Sequence, residues 1–251
     1  MPPVRRVHVP PAQLAQAVGE RVALSPEQSH YLIDVLRLAP GDPLELFDGQ
    51  GARWAAQLAL DTQGRPELQL IKQADQPRDV DRVYLTLAQS LIKADKFELV
   101  IQKATELGCR RIIPLAAERS VVKLDEERGQ SKVARWQKIA EEAARQCGRA
   151  DIPWIEEPQV WNRLYTQASP MTKIRAVVLD PRAPLRLREA VQGESAVLLT
   201  VGPEGGFSDQ ELARAEENGF VRASLGPLIL RAETAGLAAL AVVQHLAGQL
   251  G

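Results

Sequence analysis

Apolar and polar residues are patterned differently in the two parts of the chain. Up to about residue 72, short apolar runs at Leu44–Phe47, Trp54–Leu60 and Leu68–Ile71 are separated by turn signals at Pro40-Gly41, Asp48-Gly49 and Gln63-Gly64, which predicts a small β-rich unit. One helix is expected there, over Pro26–Leu38, with Ser25 as its cap and Pro26 in the first helical position. The polar stretch Gln73–Asp81, with Pro77 inside, reads as a linker, so a first domain over 1–72 and a second over 82–251 are expected. Beyond the linker, strands predicted at Val83–Ala88, Arg111–Leu115, Ala176–Leu179, Ala196–Val201 and Phe220–Leu225 alternate with helices. The first helix is capped by Asp95 and ends at Gly108, with Phe97, Val100, Ile101, Ala104 and Leu107 on one stripe. A longer one covers Ser131–Cys147 and stops at Gly148. Ser208 and Glu211 have the spacing of a capping box before a helix that stops at Gly219. The last helix, about Thr234–Leu246, is apolar nearly all round. Such alternation predicts an α/β domain with a mostly parallel sheet covered on both faces.

Composition narrows the class. With 251 residues, 45% apolar and 25% charged, the chain can bury an ample core without staples. No apolar run approaches the length of a membrane-spanning helix, and the stretch MPPVRRVHVPP has no apolar core of the kind a secretory signal needs. Cys109 and Cys147 are the only cysteines, which reads as a reduced, cytoplasmic protein. The net charge of −1 argues against a polyanion partner, but it hides a distribution. Residues 93–149 carry 13 basic and 9 acidic side chains, a local excess that is either a landing surface for a polyanion or a solvated helical face.

In an open parallel sheet, ligands bind at the carboxyl ends of the strands, and three such ends are unusual here. They read Leu179-Asp180-Pro181-Arg182, Val201-Gly202-Pro203-Glu204-Gly205-Gly206-Phe207 and Leu225-Gly226-Pro227-Leu228-Ile229-Leu230-Arg231-Ala232-Glu233-Thr234. Glycine admits positive φ and close approach of a ligand, while each proline stiffens its turn. The second loop has neither dinucleotide nor P-loop spacing, and its one charge, Glu204, suits a positively charged ligand rather than phosphate. Its other reading is a tight connection and nothing more. In the third loop, Leu228-Ile229-Leu230 either wall an apolar pocket or follow a fixed backbone path. Arg231 and Glu233 then stand at the head of the apolar helix, as site residues or as a surface pair with a capping acid. Lys96 and Lys103 share one helix edge; Lys93, Arg119, Lys123, Arg145 and Arg149 join them only if the fold brings them together. Arg5, Arg6 and Arg37 are a candidate cluster in the first domain. No His/Cys spacing suits zinc, and neither G-x-S-x-G nor a Ser-His-Asp arrangement is present.

Nine motifs from residue 30 to 235 carry a resemblance. They are His30-x4-Val35-Leu36-Arg37, Leu46-Phe47-Asp48-Gly49, Gln89-Ser90-x2-Lys93-x2-Lys96, Gln102-Lys103-x2-Glu106-Leu107-Gly108, Glu118-Arg119-Ser120, Trp136-x-Lys138-Ile139-Ala140, Gln146-Cys147-Gly148-Arg149, and the two glycine-containing loops that begin at Gly202 and Leu225. Together they resemble the RsmE family of the SPOUT superfamily, which methylates N3 of one uridine in 16S ribosomal RNA. The resemblance implies a small N-terminal PUA-like, RNA-binding β-barrel followed by a SPOUT α/β domain with a C-terminal trefoil knot. It implies S-adenosylmethionine held by Leu179, Gly202, Pro203, Glu204, Gly205, Leu225, Gly226, Leu228 and Leu230, with no metal. It further implies a homodimer acting on 16S ribosomal RNA within the small subunit. Glu233 is the first candidate for general base and Glu204 the alternative, with Arg231 stabilising a uracil anion or holding a phosphate. Arg5, Arg6, Arg37, Lys93, Lys96, Lys103, Arg119 and Arg149 are the expected RNA contacts. Two other readings stand beside it: a SPOUT enzyme methylating a ribose 2′-hydroxyl or another base, and a non-catalytic rRNA-binding assembly factor.

Overall fold

The structure is a computed structural model that describes residues 5–17, 19–74, 83–120, 126–166 and 173–251, with the backbone alone for 126–130. It divides into two compact units, Met1–Asp79 with Ala144–Ile152, and Val80–Ala143 with Pro153–Gly251. The segment Ala144–Ile152, which a single cut at the linker would give to the second domain, groups with the first unit. Most of the expected linker, from residue 75 onward, lies outside the described residues.

The first unit contains β1 (Arg6–His8), α1 (Pro11–Leu14), β2 (Arg21–Ala23), α2 (Pro26–His30), a π-helical turn (Tyr31–Val35), β3 (Pro43–Phe47), β4 (Arg53–Leu60) and β5 (Pro66–Gln73). Its sheet runs in the order β1-β3-β4-β5-β2, with β1 parallel to β3 and the other pairs antiparallel. Leu44, Leu46, Ala56, Leu58 and Leu68 alternate with half-exposed neighbours and close over Val7, Val22 and Leu32. The expected helix over Pro26–Leu38 begins as predicted, with Ser25 and Gln28 forming a reciprocal cap. It then widens: the amide of Leu36 donates to the carbonyl of Tyr31 over 2.9 Å, five residues back. Arg37 follows in the left-handed region at φ 56°, and the amide of Leu38 reaches the carbonyl of Leu32 over 3.0 Å. This path buries Leu32 and Leu38 and leaves Ile33, Val35 and Arg37 exposed.

The second unit comprises β6 (Tyr84–Ser90), α3 (Ala94–Glu106), β7 (Arg111–Ala116), α4 (Glu126–Cys147, whose last turn counts with the first unit), β8 (Trp154–Ile155), β9 (Gln159–Val160), α5 (Trp161–Tyr165), β10 (Arg175–Leu179), α6 (Leu187–Val191), β11 (Ala196–Val201), α7 (Asp209–Glu217), β12 (Val221–Ala223) and α8 (Ala232–Leu246). All its strand pairs are parallel, in the order β12-β10-β11-β6-β7-β8 with β9 beside β7. The inner strands are buried on both faces and mostly apolar, as a doubly covered sheet requires, with Thr86, Gln89, Ser90 and Thr200 as buried polar residues. In α3 the buried stripe is Phe97, Val100, Ile101 and Ala104, as the spacing predicts; the cap position is Lys93, and Asp95 sits inside the first turn. The short elements β1, β2, β8, β9, α1, α5 and α6 were not predicted. The order β12-β10-β11 sets three strand ends side by side, so that loops far apart in sequence meet.

Candidate active site

A cavity of about 790 Å³ opens at the carboxyl ends of β10, β11 and β12. Residues 179–182, 201–207, 223–226 and 228–232 wall it, joined by Lys96 from α3 and Arg119 from the turn after β7. All nine residues expected to hold a cofactor stand on this wall. Its volume suits a ligand of drug or nucleoside size.

Each loop is held by its own contacts. In the second, a Cβ on Gly202 would lie 3.3 Å from both the ring and the backbone nitrogen of Phe207, a contact tight enough that the loop would have to give. The amide of Gly206, at φ 66°, donates to the carbonyl of Pro203 over 2.9 Å, and Arg119 donates to the carbonyl of Gly205 over 3.2 Å. Behind the loop, Phe207 packs edge-on against Trp161 at 5.0 Å. The predicted capping box of α7 is present, and Glu211 also accepts from the Trp161 indole and the Glu118 amide, each at 2.9 Å. Phe207 and Trp161 are support residues that sequence reasoning missed; the Ser208–Glu211 cap was the one legible signal of them.

In the first loop, the buried Asp180 carboxylate accepts from Arg222 at 2.5 Å and from the Arg182 amide at 3.1 Å. Burial pushes its acidity down, but the donors from Arg222 and Arg182 outweigh this and hold it below the usual carboxylate range. In the third loop, Leu228 and Ile229 are 75% and 85% exposed, an apolar edge at the cavity mouth. Arg231 is the N-cap of α8 and lies on the wall.

The acidic candidates separate. Glu204 is exposed on the wall, whereas Glu233 is set back from it in the first turn of α8. One oxygen of Glu233 lies 3.1 Å from the Lys96 ammonium, and the other is enclosed without a hydrogen-bond partner. Burial pushes the Glu233 pKa up, yet its own backbone amide, the Lys96 ammonium and the charge of Arg231 together hold it below the ordinary range. An ionised carboxyl of lowered pKa, enclosed behind a lysine, is a poor proton acceptor for a ligand in the cavity. Glu233, the first candidate for general base, is thus paired with Lys96, while Glu204, the alternative, stands on the wall.

The basic candidates do not form one surface. Arg6 turns inward, pairs with Glu45 at 2.7 Å and donates to the carbonyls of Ala144, Arg145 and Arg149. Arg149 is largely buried beside Asp151 at 2.5 Å. Both side chains are thus turned toward partners within the fold. Lys96 belongs to the cavity rather than to an outer face. Arg5 pairs with Asp42 at 3.4 Å and Lys103 with Glu106 at 2.8 Å. Lys93, Arg119 and Arg37 are exposed. Lys123 lies outside the described residues.

Comparison with known proteins agrees with this architecture. A family model described as an RNA methyltransferase domain matches residues 80–244, and one described as an RNA methyltransferase PUA domain matches residues 24–68. The ribosomal RNA small subunit methyltransferase E of Bacillus subtilis is 32% identical over 230 residues, 89% of each chain. Its namesake in Synechocystis is 36% identical over 244 residues, 96% of this chain and 77% of that one. Among solved structures, a putative methyltransferase of Legionella pneumophila in complex with SAM superposes with a TM-score of 0.83 at 32% identity, covering 97% of this chain and 98% of that one. The Neisseria gonorrhoeae ribosomal RNA small subunit methyltransferase E, bound to S-adenosyl methionine, gives 0.81 at 29% identity, again covering 97% and 98%. The PUA-like unit followed by a SPOUT α/β unit, implied by the motifs, is the fold observed. With two family models and relatives matched over most of their length in agreement, the chain belongs to the ribosomal RNA small subunit methyltransferase E family.

Proposed function

We propose that this protein transfers a methyl group from S-adenosylmethionine to N3 of a uridine in 16S ribosomal RNA of the small subunit. The single observation that carries the reading is the cavity at three strand ends, with Gly202 at its wall where a side chain would crowd Phe207. The residues fit the cofactor: Leu179, Leu225, Leu228 and Leu230 offer apolar wall to an adenine, and glycines at 202, 205 and 226 admit close backbone contact. Glu204 supplies a negative charge for a sulfonium or an amino group. The bound cofactor contributes an electrophilic methyl group carried on sulfur.

The acceptor nitrogen of neutral uracil bears a proton and is a poor nucleophile until it leaves. Glu204, the one of the two candidate carboxylates that stands on the wall, is placed to receive it, and Arg231 to offset charge on the ring or hold a phosphate. Holding ring and donor in line in a rigid cavity supplies much of the rest. Arg5, Arg37, Lys93 and Arg119 remain as backbone contacts, and the target base swings out of its stack to reach the cavity. We read the three loops as a trefoil knot and the enzyme as a cytoplasmic homodimer; the apolar side chains left exposed at Leu228, Ile229 and Leu246 support a second copy covering them.

Mass spectrometry of 16S RNA, free and within small subunits, after reaction with isotope-labelled S-adenosylmethionine tests the proposal. A labelled N3-methyluridine is expected. A label on a ribose hydroxyl or another base would reassign the acceptor, and absence of cofactor binding in calorimetry would favour the assembly-factor reading.

A further inference from the structure

We infer that Lys96 is the member of the Lys96–Glu233 pair that meets the substrate: its ammonium binds a carbonyl oxygen of the uracil ring as N3 loses its proton, and Glu233 is a positioning residue that holds it there. The inference rests on the proposed uracil acceptor. Lys96 lines the cavity with its side chain 26% exposed, whereas Glu233 is 12% exposed and off the wall. The 3.1 Å contact to Glu233 fixes the ammonium before any ligand arrives. A preorganised charge needs no rearrangement when the reacting charge develops, which is where such groups act most strongly.

The sign of the charge narrows the role further. The donor expected in the same cavity is cationic and Glu233 already offsets the Lys96 charge, so an anion formed between donor and ammonium is attracted by both. Uracil deprotonated at N3 is such an anion, with its charge delocalised onto both carbonyl oxygens. The proton passes to the exposed Glu204 or to water, and the ammonium keeps its own protons throughout. A contact to RNA phosphate, the other use of a lysine, suits an outward side chain and not one anchored at the head of α8. Lys96 lies in the first turn of α3, a short loop after β6, and the N-terminal turn of α8 lies against it, so two helix starts converge on one pair.

The experiment compares single-turnover methylation of small subunits carrying uridine or 5-fluorouridine, whose N3 proton is more acidic. Lys96→Met is expected to lower the rate on ordinary RNA by about 10²–10³-fold, the effect of removing one preorganised donor. Cofactor affinity by calorimetry should be unchanged, and Lys96→Arg should recover part of the rate. On 5-fluorouridine RNA the Lys96→Met deficit should shrink by roughly tenfold, because the ring ionises with less help. Glu233→Gln should show a smaller loss with the same sensitivity to fluorine. A Lys96→Met rate within about threefold of wild type, an equal deficit on both RNAs, or a deficit matched by lost cofactor binding would each overturn the inference. Wild-type transfer to a ribose hydroxyl would instead remove the uracil reading on which it rests.

Discussion

Each unit contains a basic residue tied to a glutamate, and the two pairs are put to opposite uses. In the first unit Arg6 is 7% exposed, pairs with Glu45, donates to three carbonyls at the end of α4 and stacks over Phe47 at 4.7 Å. In the second unit Lys96 has one carboxylate partner in Glu233 and borders a cavity. The first cation satisfies the carbonyls that every helix end leaves over. The second retains donors that a ligand can reach. Both residues read alike in the sequence, as cations available to a polyanion; what separates them is where their remaining donors go.

The largest effect expected from this contrast is on stability. Arg6→Met should cost roughly 3–5 kcal/mol in urea unfolding, since it leaves Glu45 with Arg53 alone at 4.0 Å and uncaps the end of α4. Methyl transfer per folded molecule should be unchanged. A loss below about 1 kcal/mol would show that Arg6 is no more structural than a surface cation, and the contrast would fall. Next comes Asp180, a buried carboxylate that accepts from Arg222 and from the amide and side chain of Arg182. Its pKa is lowered in the fold, so its contribution is complete above the ordinary value of 3.8 and disappears as pH falls through the lower native value. Asp180→Asn should cost about 2 kcal/mol at neutral pH and flatten the acid limb of the stability profile below about pH 4. An unchanged acid limb would remove Asp180 as its cause.

The sequence carries the elements that bury a long stripe and hides those whose meaning depends on a neighbour. Strand β11 falls on its predicted bounds, and the caps at Ser25 and Ser208 are the ones formed, because period and cap chemistry are local. Two-residue strands such as β8 and β9 are fixed by their partners in the sheet, so their own residues say little. The cavity wall was legible because three glycine- or proline-bearing turns each follow a strand, and the parallel order then places those turns together. The Lys96–Glu233 pair spans 137 positions and was invisible for that reason, as was the inward turn of Arg6. The π-helical widening after His30 was not legible, since Pro26–Leu38 carries the start signal of a single helix and no residue that marks the change.

On the cavity side, Gly202→Ala probes whether the wall is shaped for a ligand or merely for a turn. The added methyl meets Phe207 at 3.3 Å from ring and backbone together, and the loop must give by a few tenths of an ångström. A cost of about 1–3 kcal/mol follows from overpacking of this kind. If the loop pays it by shifting into the cavity, S-adenosylmethionine should bind about tenfold more weakly in calorimetry. Unaltered affinity with lowered stability would make the glycine a requirement of the turn alone.

The smallest expected effect concerns a third kind of arginine, neither buried like Arg6 nor in the cavity as Lys96 is. Arg37 is exposed, has no ion pair among the described residues, and sits at φ 56° where the chain leaves the π-helical turn. Glycine is the residue that adopts this conformation freely, so Arg37→Gly should raise stability by about 1 kcal/mol. If the side chain contacts the RNA backbone, the same substitution should raise KM for small subunits several-fold and lessen its dependence on salt, by the order of one phosphate contact. Stability and affinity would then move in opposite directions at one position. Arg37→Ala separates the causes, because it loses the charge and keeps the strain: KM should rise as for glycine, with no gain in stability. A stability gain in Arg37→Gly with KM and salt dependence unmoved would mean that the strained backbone merely tolerates an arginine, and the RNA surface would have to be sought at Lys93 and Arg119 instead.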